Sequence, residues 1–115
     1  MKYLLMIYAD EKAYAAMKPE DARRGYEAYM AYTEALKKAG AHVGGERLQP
    51  TGTATTVRTN NGKAQVLNGP YTETKEQFGG YYMIDVPDLD AALAWAARCP
   101  AVHHGVVEVR PVWVM

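Results

Sequence analysis

The segment from Lys2 to Ala9 constrains this chain more than any other. It holds the run Tyr3-Leu4-Leu5-Met6-Ile7-Tyr8, and both of its alternating sets are apolar. In an extended segment Tyr3, Leu5 and Ile7 point one way and Leu4, Met6 and Tyr8 the other. A strand apolar on both faces has to be covered on both faces. The run is too short for a membrane span or for the apolar region of a signal peptide, and acidic Asp10-Glu11 follows it directly. It reads as a buried strand that opens the fold of a cytoplasmic protein.

The rest of the chain punctuates itself. Residues 10 to 18 read as a connection. Pro19 then stands where a helix begins, with Glu20 and Asp21 in its first turn. Ala22, Tyr26, Tyr29, Met30, Thr33 and Leu36 recur at helical spacing, and Gly40 stops the helix. Gly25 lies inside it, at a cost of about 1 kcal/mol relative to alanine. Ala41 to Leu48 reads as a strand that Gly44-Gly45 interrupts with a bulge. Thr53 to Thr59 and Lys63 to Asn68 flank Asn60-Asn61-Gly62, a hairpin turn. Tyr71 to Gln77 is a polar loop, and Phe78 to Val86 is the next strand. Asp88 caps a helix from Leu89 to Arg98, and Gly105 to Val114 is the last strand.

This order predicts an α+β fold of ferredoxin-like type, an antiparallel sheet with two helices on one face. The length of 115 residues suits a single domain over residues 1 to 115. Helices on one face leave the other bare, and the first strand is apolar there too. A second copy of the chain is the expected cover, so a homodimer follows.

Lys plus Arg and Asp plus Glu number 13 each, which leaves no electrostatic footprint for direct nucleic-acid binding. Cys99 is the only cysteine, so the chain forms no internal disulfide and fits a reducing compartment. His42, His103 and His104 lack metal-ligand spacing. Gly44-Gly45 lacks the Lys-Ser/Thr ending of a phosphate loop. Neither a metal nor an organic cofactor is expected.

Several stretches carry a family resemblance. They are the opening Met1-Lys2-Tyr3-Leu4-Leu5-Met6-Ile7-Tyr8, Gly44-Gly45-Glu46-Arg47-Leu48-Gln49-Pro50, and Asn68-Gly69-Pro70-Tyr71 with the following Thr72 to Tyr82. Ile84 to Asp90 and His104 to Pro111 complete the set. The chain resembles the YCII-related family, in its DGPF subgroup, essentially from end to end. The resemblance implies a ferredoxin-like fold and a sheet-to-sheet dimer of the dimeric α+β barrel type. Some members of the wider family use a His–Asp pair with the His in the first helix, and Tyr29 stands about where that His falls. The namesake Asp-Gly-Pro-Phe is Asn68-Gly69-Pro70-Tyr71 here, which removes the carboxylate at position 68. Members of the subgroup also resemble partners of alternative sigma factors, which implies a regulatory association.

Candidate site residues come from two places. In the last strand, Val107 and Val109 alternate with Glu108 and Arg110, and Trp113 falls in register with the core-facing set. Glu108 and Arg110 then face the partner subunit. They either grip a polar ligand, with Arg110 on an anionic or carbonyl group, or pair with each other to fix the dimer. His104, where the last family stretch begins, is the candidate proton carrier. Glu108 lies four residues further along the strand, about 13 Å in extended chain, so the acidic partner of His104 has to come from elsewhere. Glu73 and Glu46 are the nominees. Lys75 and Tyr82 join Arg110 and Glu108 as ligand-binding candidates, the first from the loop and the second from the strand after it. The chain is thus either a small acid–base enzyme or a binder of a small polar or aromatic molecule in a pocket on the sheet face. The alternative is a non-catalytic interaction module.

Overall fold

A computed structural model describes residues 1–115. The strands are β1 (Lys2–Ala9), β2 (His42–Arg47), β3 (Thr55–Asn60), β4 (Lys63–Asn68), β5 (Gln77–Asp85) and β6 (Gly105–Pro111). The helices are α1 (Glu11–Ala15), α2 (Pro19–Lys38) and α3 (Leu89–Arg98), and short 3-10 turns span Thr51–Thr53 and Pro100–His103. The main sheet runs β2-β5-β1-β6 with every neighbour antiparallel. With α2 and α3 as its crossovers this is the expected ferredoxin-like arrangement.

Alternation along β1 divides the sheet. Tyr3 and Leu5 are buried on the helix side, with Ile7 packed beside them. Across the ladder they meet Ile84 and Tyr82 of β5 and Val107 and Val109 of β6. Helix α2 contributes Tyr32 and Leu36. Helix α3 contributes only alanines, Ala92 and Ala96, to the fully enclosed set, so its backbone lies close over the sheet. The Tyr32 hydroxyl donates to the Trp95 carbonyl at 2.7 Å and joins the two helices. Cys99 is fully buried among these groups and serves as packing.

Helix α2 has Pro19 in its first turn, acids beside it and Lys37 and Lys38 in its last. A Cβ on Gly25 would meet nothing within 4 Å, so that glycine makes no close contact and is simply tolerated. Helix α3 starts where expected, with the Asp88 carboxylate accepting from the Ala91 N–H at 2.9 Å.

Three features depart from the sequence reading. Residues 10 to 18 are not only a connection. Asp10 accepts from the Lys12 N–H at 2.9 Å and starts α1. The hairpin β3–β4 stays out of the main sheet and forms a two-stranded sheet of its own. The last strand ends at Pro111, and Trp113 is 85% exposed rather than in the core. The Val112 N–H still donates to Lys2 O at 2.9 Å, so backbone pairing with β1 reaches one residue past Pro111 before the chain leaves the sheet. At the hairpin tip Asn61 and Gly62 both take positive φ, 51° and 79°, the pattern of the tight turn that matches strand twist. At its base the Gly69 N–H donates to Ala54 O at 2.8 Å, and Thr56 Oγ1 donates to Gly69 O at 2.8 Å.

On the helix-free face the register makes rows across the sheet. Glu46, Tyr81, Met6 and Glu108 form one row, and Gly44, Met83, Leu4 and Arg110 the next. Apolar side chains fill the centre and charges stand at the edges.

Candidate functional site

The site begins with α1. A helix of five residues has no stability of its own in water. Glu11 fastens it. Its carboxylate accepts from the Thr51 N–H at 2.7 Å and from Thr51 Oγ1 at 2.9 Å. Its own N–H donates to Gln77 Oε1 at 2.9 Å. These three bonds tie α1 to the Thr51–Thr53 turn and to the start of β5, and they hold Tyr14 at the end of the sheet.

There Tyr14 meets two basic side chains. Its hydroxyl lies 3.3 Å from His104 Nε2, and the two rings meet edge to face at 5.5 Å. The Arg47 guanidinium lies 5.9 Å from the Tyr14 ring centroid. His104 is fixed by what flanks it. Its N–H donates to Ala101 O at 3.1 Å, ending the 3-10 turn. The next residue, Gly105, lies so close to the Tyr8 carbonyl that a Cβ there would collide with it. The start of β6 therefore lies flush against β1, and His104 projects from that junction.

Behind this trio lies a layer of phenols. Thr33 Oγ1 donates to Tyr29 O at 2.8 Å and lies 2.9 Å from the Tyr82 hydroxyl. Tyr82 meets Tyr32 edge to face at 5.2 Å and His42 at 6.5 Å. Burial pushes the Tyr29 phenol well above its ordinary pKa, and the neighbouring Tyr14 adds to the shift. Burial does the same to Tyr32. It also raises Tyr82, against the opposing effect of its hydrogen bond with Thr33.

A phenol whose pKa is raised on folding keeps its proton in the native state when the unfolded chain has lost it. The contribution is full below the ordinary value of 10.0 and is lost as pH climbs through the folded value. Urea midpoints should therefore fall above about pH 10. The Tyr29→Phe/Tyr32→Phe double variant should lose less over the same interval. Parallel curves for the two proteins would show that these phenols are not the cause.

The residues expected from sequence separate into three places. His104 and Tyr82 lie on the helix side. Glu46, Glu108 and Arg110 lie on the helix-free face. Glu73 and Lys75 sit in an exposed turn. Within the chain, neither Glu46 nor Glu73 is the partner of His104, which meets the phenol of Tyr14 instead. The reason is alternation. Glu46 is in register with Tyr81, whose side chain points away from the helices, whereas Arg47, one residue on, points toward them. Glu108 and Arg110 pair at 2.8 Å with side chains 43% and 67% exposed, so in the isolated chain the pair is worth no more than about 1 kcal/mol.

Sequence reasoning missed Tyr14, Arg47 and the clasp residues Glu11, Thr51 and Gln77. The available signal was Asp10 ahead of the alanine-rich segment 13–16, which is a cap followed by helix formers.

Two shallow, open depressions mark the surface. The larger, about 660 Å³, lies on α2 among Ala31, Glu34, Ala35, Lys37 and Lys38. It holds only an exposed Glu34–Lys37 pair and no convergent chemistry. The smaller, about 290 Å³, is lined by Arg47, Leu48, Gln49 and Pro50 and adjoins the Tyr14 site. No three or more His, Cys, Asp or Glu side chains are grouped to hold a metal ion. No helix is long and apolar enough to cross a membrane.

Comparison with known proteins matches residues 1–115 to the YCII-related domain. An uncharacterized protein of Rhizobium meliloti (strain 1021) is 36% identical over 114 residues, covering 97% of this chain and 92% of that one. Among solved structures, the fold is similar to that of 5-chloro-2-hydroxyhydroquinone dehydrochlorinase from Burkholderia phenoliruptrix, determined in complex with 2,5-dihydroxybenzoquinone. The TM-score is 0.54 at 16% identity, covering 98% of this chain and 94% of that one.

Proposed function

The chain belongs to the YCII-related family, and on that premise we propose that it binds a small polar aromatic molecule with an ionisable hydroxyl and moves a proton on it. The observation that carries this is the Tyr14–His104 contact with the Arg47 guanidinium beside it. An aromatic ligand finds ring faces and edges in Tyr14, Tyr29 and Tyr82. Its O–H bond breaks as the proton passes to an imidazole nitrogen of His104. The electron pair stays on the ligand oxygen, where the charge of Arg47 stabilises it. The solved protein of similar fold holds a hydroxylated quinone, which is the class of molecule this constellation suits. We extend the proposal to membership of the DGPF subgroup, supported by Asn68-Gly69-Pro70-Tyr71 as a variant of its signature, and to a cytoplasmic setting.

The same reading includes a homodimer. The helix-free face has an apolar centre of Leu4, Met6, Tyr81 and Met83 and a rim of Glu46, Glu108 and Arg110. That is the anatomy of an interface. Two such faces packed together would leave neither exposed.

Calorimetric titration with 2,5-dihydroxybenzoquinone and 4-nitrocatechol tests the ligand class, with toluene as the apolar control. Both hydroxylated compounds should bind saturably and toluene should not. Arg47→Ala should weaken binding by about tenfold or more, equivalent to about 1.4 kcal/mol. Failure of both compounds to bind, or equal binding by Arg47→Ala, would overturn the proposal.

A further inference from the structure

The hairpin β3–β4 stands off the body of the protein. It pairs with no third strand, and an isolated two-stranded ribbon is at best marginally stable in water. The radius of gyration, 16.1 Å, exceeds the roughly 13 Å of a compact domain of this length. The two faces of the ribbon differ. The pairs Thr55–Asn68, Val57–Val66 and Thr59–Ala64 share one face, which carries no charge. Thr56, Arg58, Asn60, Lys63, Gln65 and Leu67 lie on the other, which carries both of the ribbon's charges, and Arg58 there stacks over the Tyr71 ring at 5.5 Å. Val57 and Val66 are 63% and 68% exposed. A ribbon with one charged and one uncharged face, both bare, has a face made for contact.

We propose that the uncharged face of this arm packs on a second copy of the chain, reaching across when two helix-free sheet faces meet. The inference rests on the dimer reading above and adds the arm to that interface. Area argues for this occupant. Four strands at their usual spacing and rise present only about 400 Å² of projected face. The arm adds about 200 Å² in projection, which enlarges the face available to a partner by about half. Position argues the same way. The arm leaves the sheet between the end of β2 and the start of β5, at one edge of the open face. With the uncharged face turned to the partner, Arg58 and Lys63 on the opposite face would stay in solvent.

The test uses two neighbouring positions. Val66 and Gln65 lie on opposite faces of the same strand, and both are exposed. Val66→Lys and Gln65→Lys therefore add the same charge to the same ribbon. Sedimentation equilibrium should give a dimer for the unaltered protein. Val66→Lys should raise the dimer dissociation constant by about tenfold or more, and Gln65→Lys by less than about twofold. Amide exchange within residues 55–68 should also slow as concentration rises through the dissociation constant. An unaltered protein that stays monomeric removes the dimer and the arm together. A dimer that the two lysines weaken equally, or not at all, leaves the dimer standing and overturns the arm. Arm exchange independent of concentration does the same, and it would leave the uncharged face to a different protein.

Discussion

His104→Gln is expected to lower turnover of a hydroxylated aromatic substrate by about 10²- to 10⁴-fold, the usual contribution of a positioned acid or base. Histidine is the side chain that gains and loses a proton near neutral pH, and glutamine does neither. The substitution keeps a polar group beside Tyr14. His104 is exposed and outside the buried cluster, so the thermal midpoint should not move. The Michaelis constant should change by less than about threefold, because the loss falls on the transition state. Tyr14→Phe should cost less, since it removes the neighbour of the proton carrier and not the carrier. An unchanged turnover number in His104→Gln would end the acid–base reading, and the non-catalytic interaction module would replace it.

Leu36→Ala is expected to cost about 3–5 kcal/mol of unfolding free energy, the usual range for truncating an enclosed leucine. Leu36 is fully buried in one cluster with Leu5 and Ile84, and these are the only large aliphatic side chains with no exposure. The enclosed residues of α3 are alanines and have no bulk with which to refill the space. Against a total of about 5–15 kcal/mol for a domain, the loss is a large fraction. Urea denaturation should show a lower midpoint with an unchanged slope. Leu93→Ala is the control. Leu93 is on α3 but 47% exposed, and its truncation should shift stability by less than about 1 kcal/mol. A Leu36→Ala loss as small as the control's would mean that the cluster is not packed as described.

The fold was legible because its signals are local. Alternation in β1, the Pro19 start of α2, the Asp88 cap of α3 and the Asn61-Gly62 turn each act within a few residues, and each appears in the structure. Alternation also placed Glu108 and Arg110 on the helix-free face. The site was less legible because its contacts are not local. Tyr14 and His104 are 90 positions apart, and Glu11 and Thr51 are 40 apart. Nothing in either segment names the other. Arg47 was passed over for Glu46, its neighbour. Choosing between two adjacent residues of a strand requires the register, which the bulge between His42 and Gly44 shifts. Trp113 was misplaced for a related reason. Alternation was extended past Pro111, where the strand had ended.

The base of the arm changes what the tetrapeptide Asn68-Gly69-Pro70-Tyr71 signifies. Gly69 takes a φ of 102° and exchanges hydrogen bonds with Ala54 and Thr56, while Asn68 and Tyr71 are exposed. Gly69 supplies the backbone turn where the ribbon leaves the body, and of the flanking side chains Tyr71 touches the ribbon, under Arg58. The Asn68 side chain makes none of the hydrogen bonds at the base of the arm, so an amide there in place of an acid leaves that base intact. What the tetrapeptide visibly does in this chain is architectural: it shapes the point at which the ribbon departs from the body.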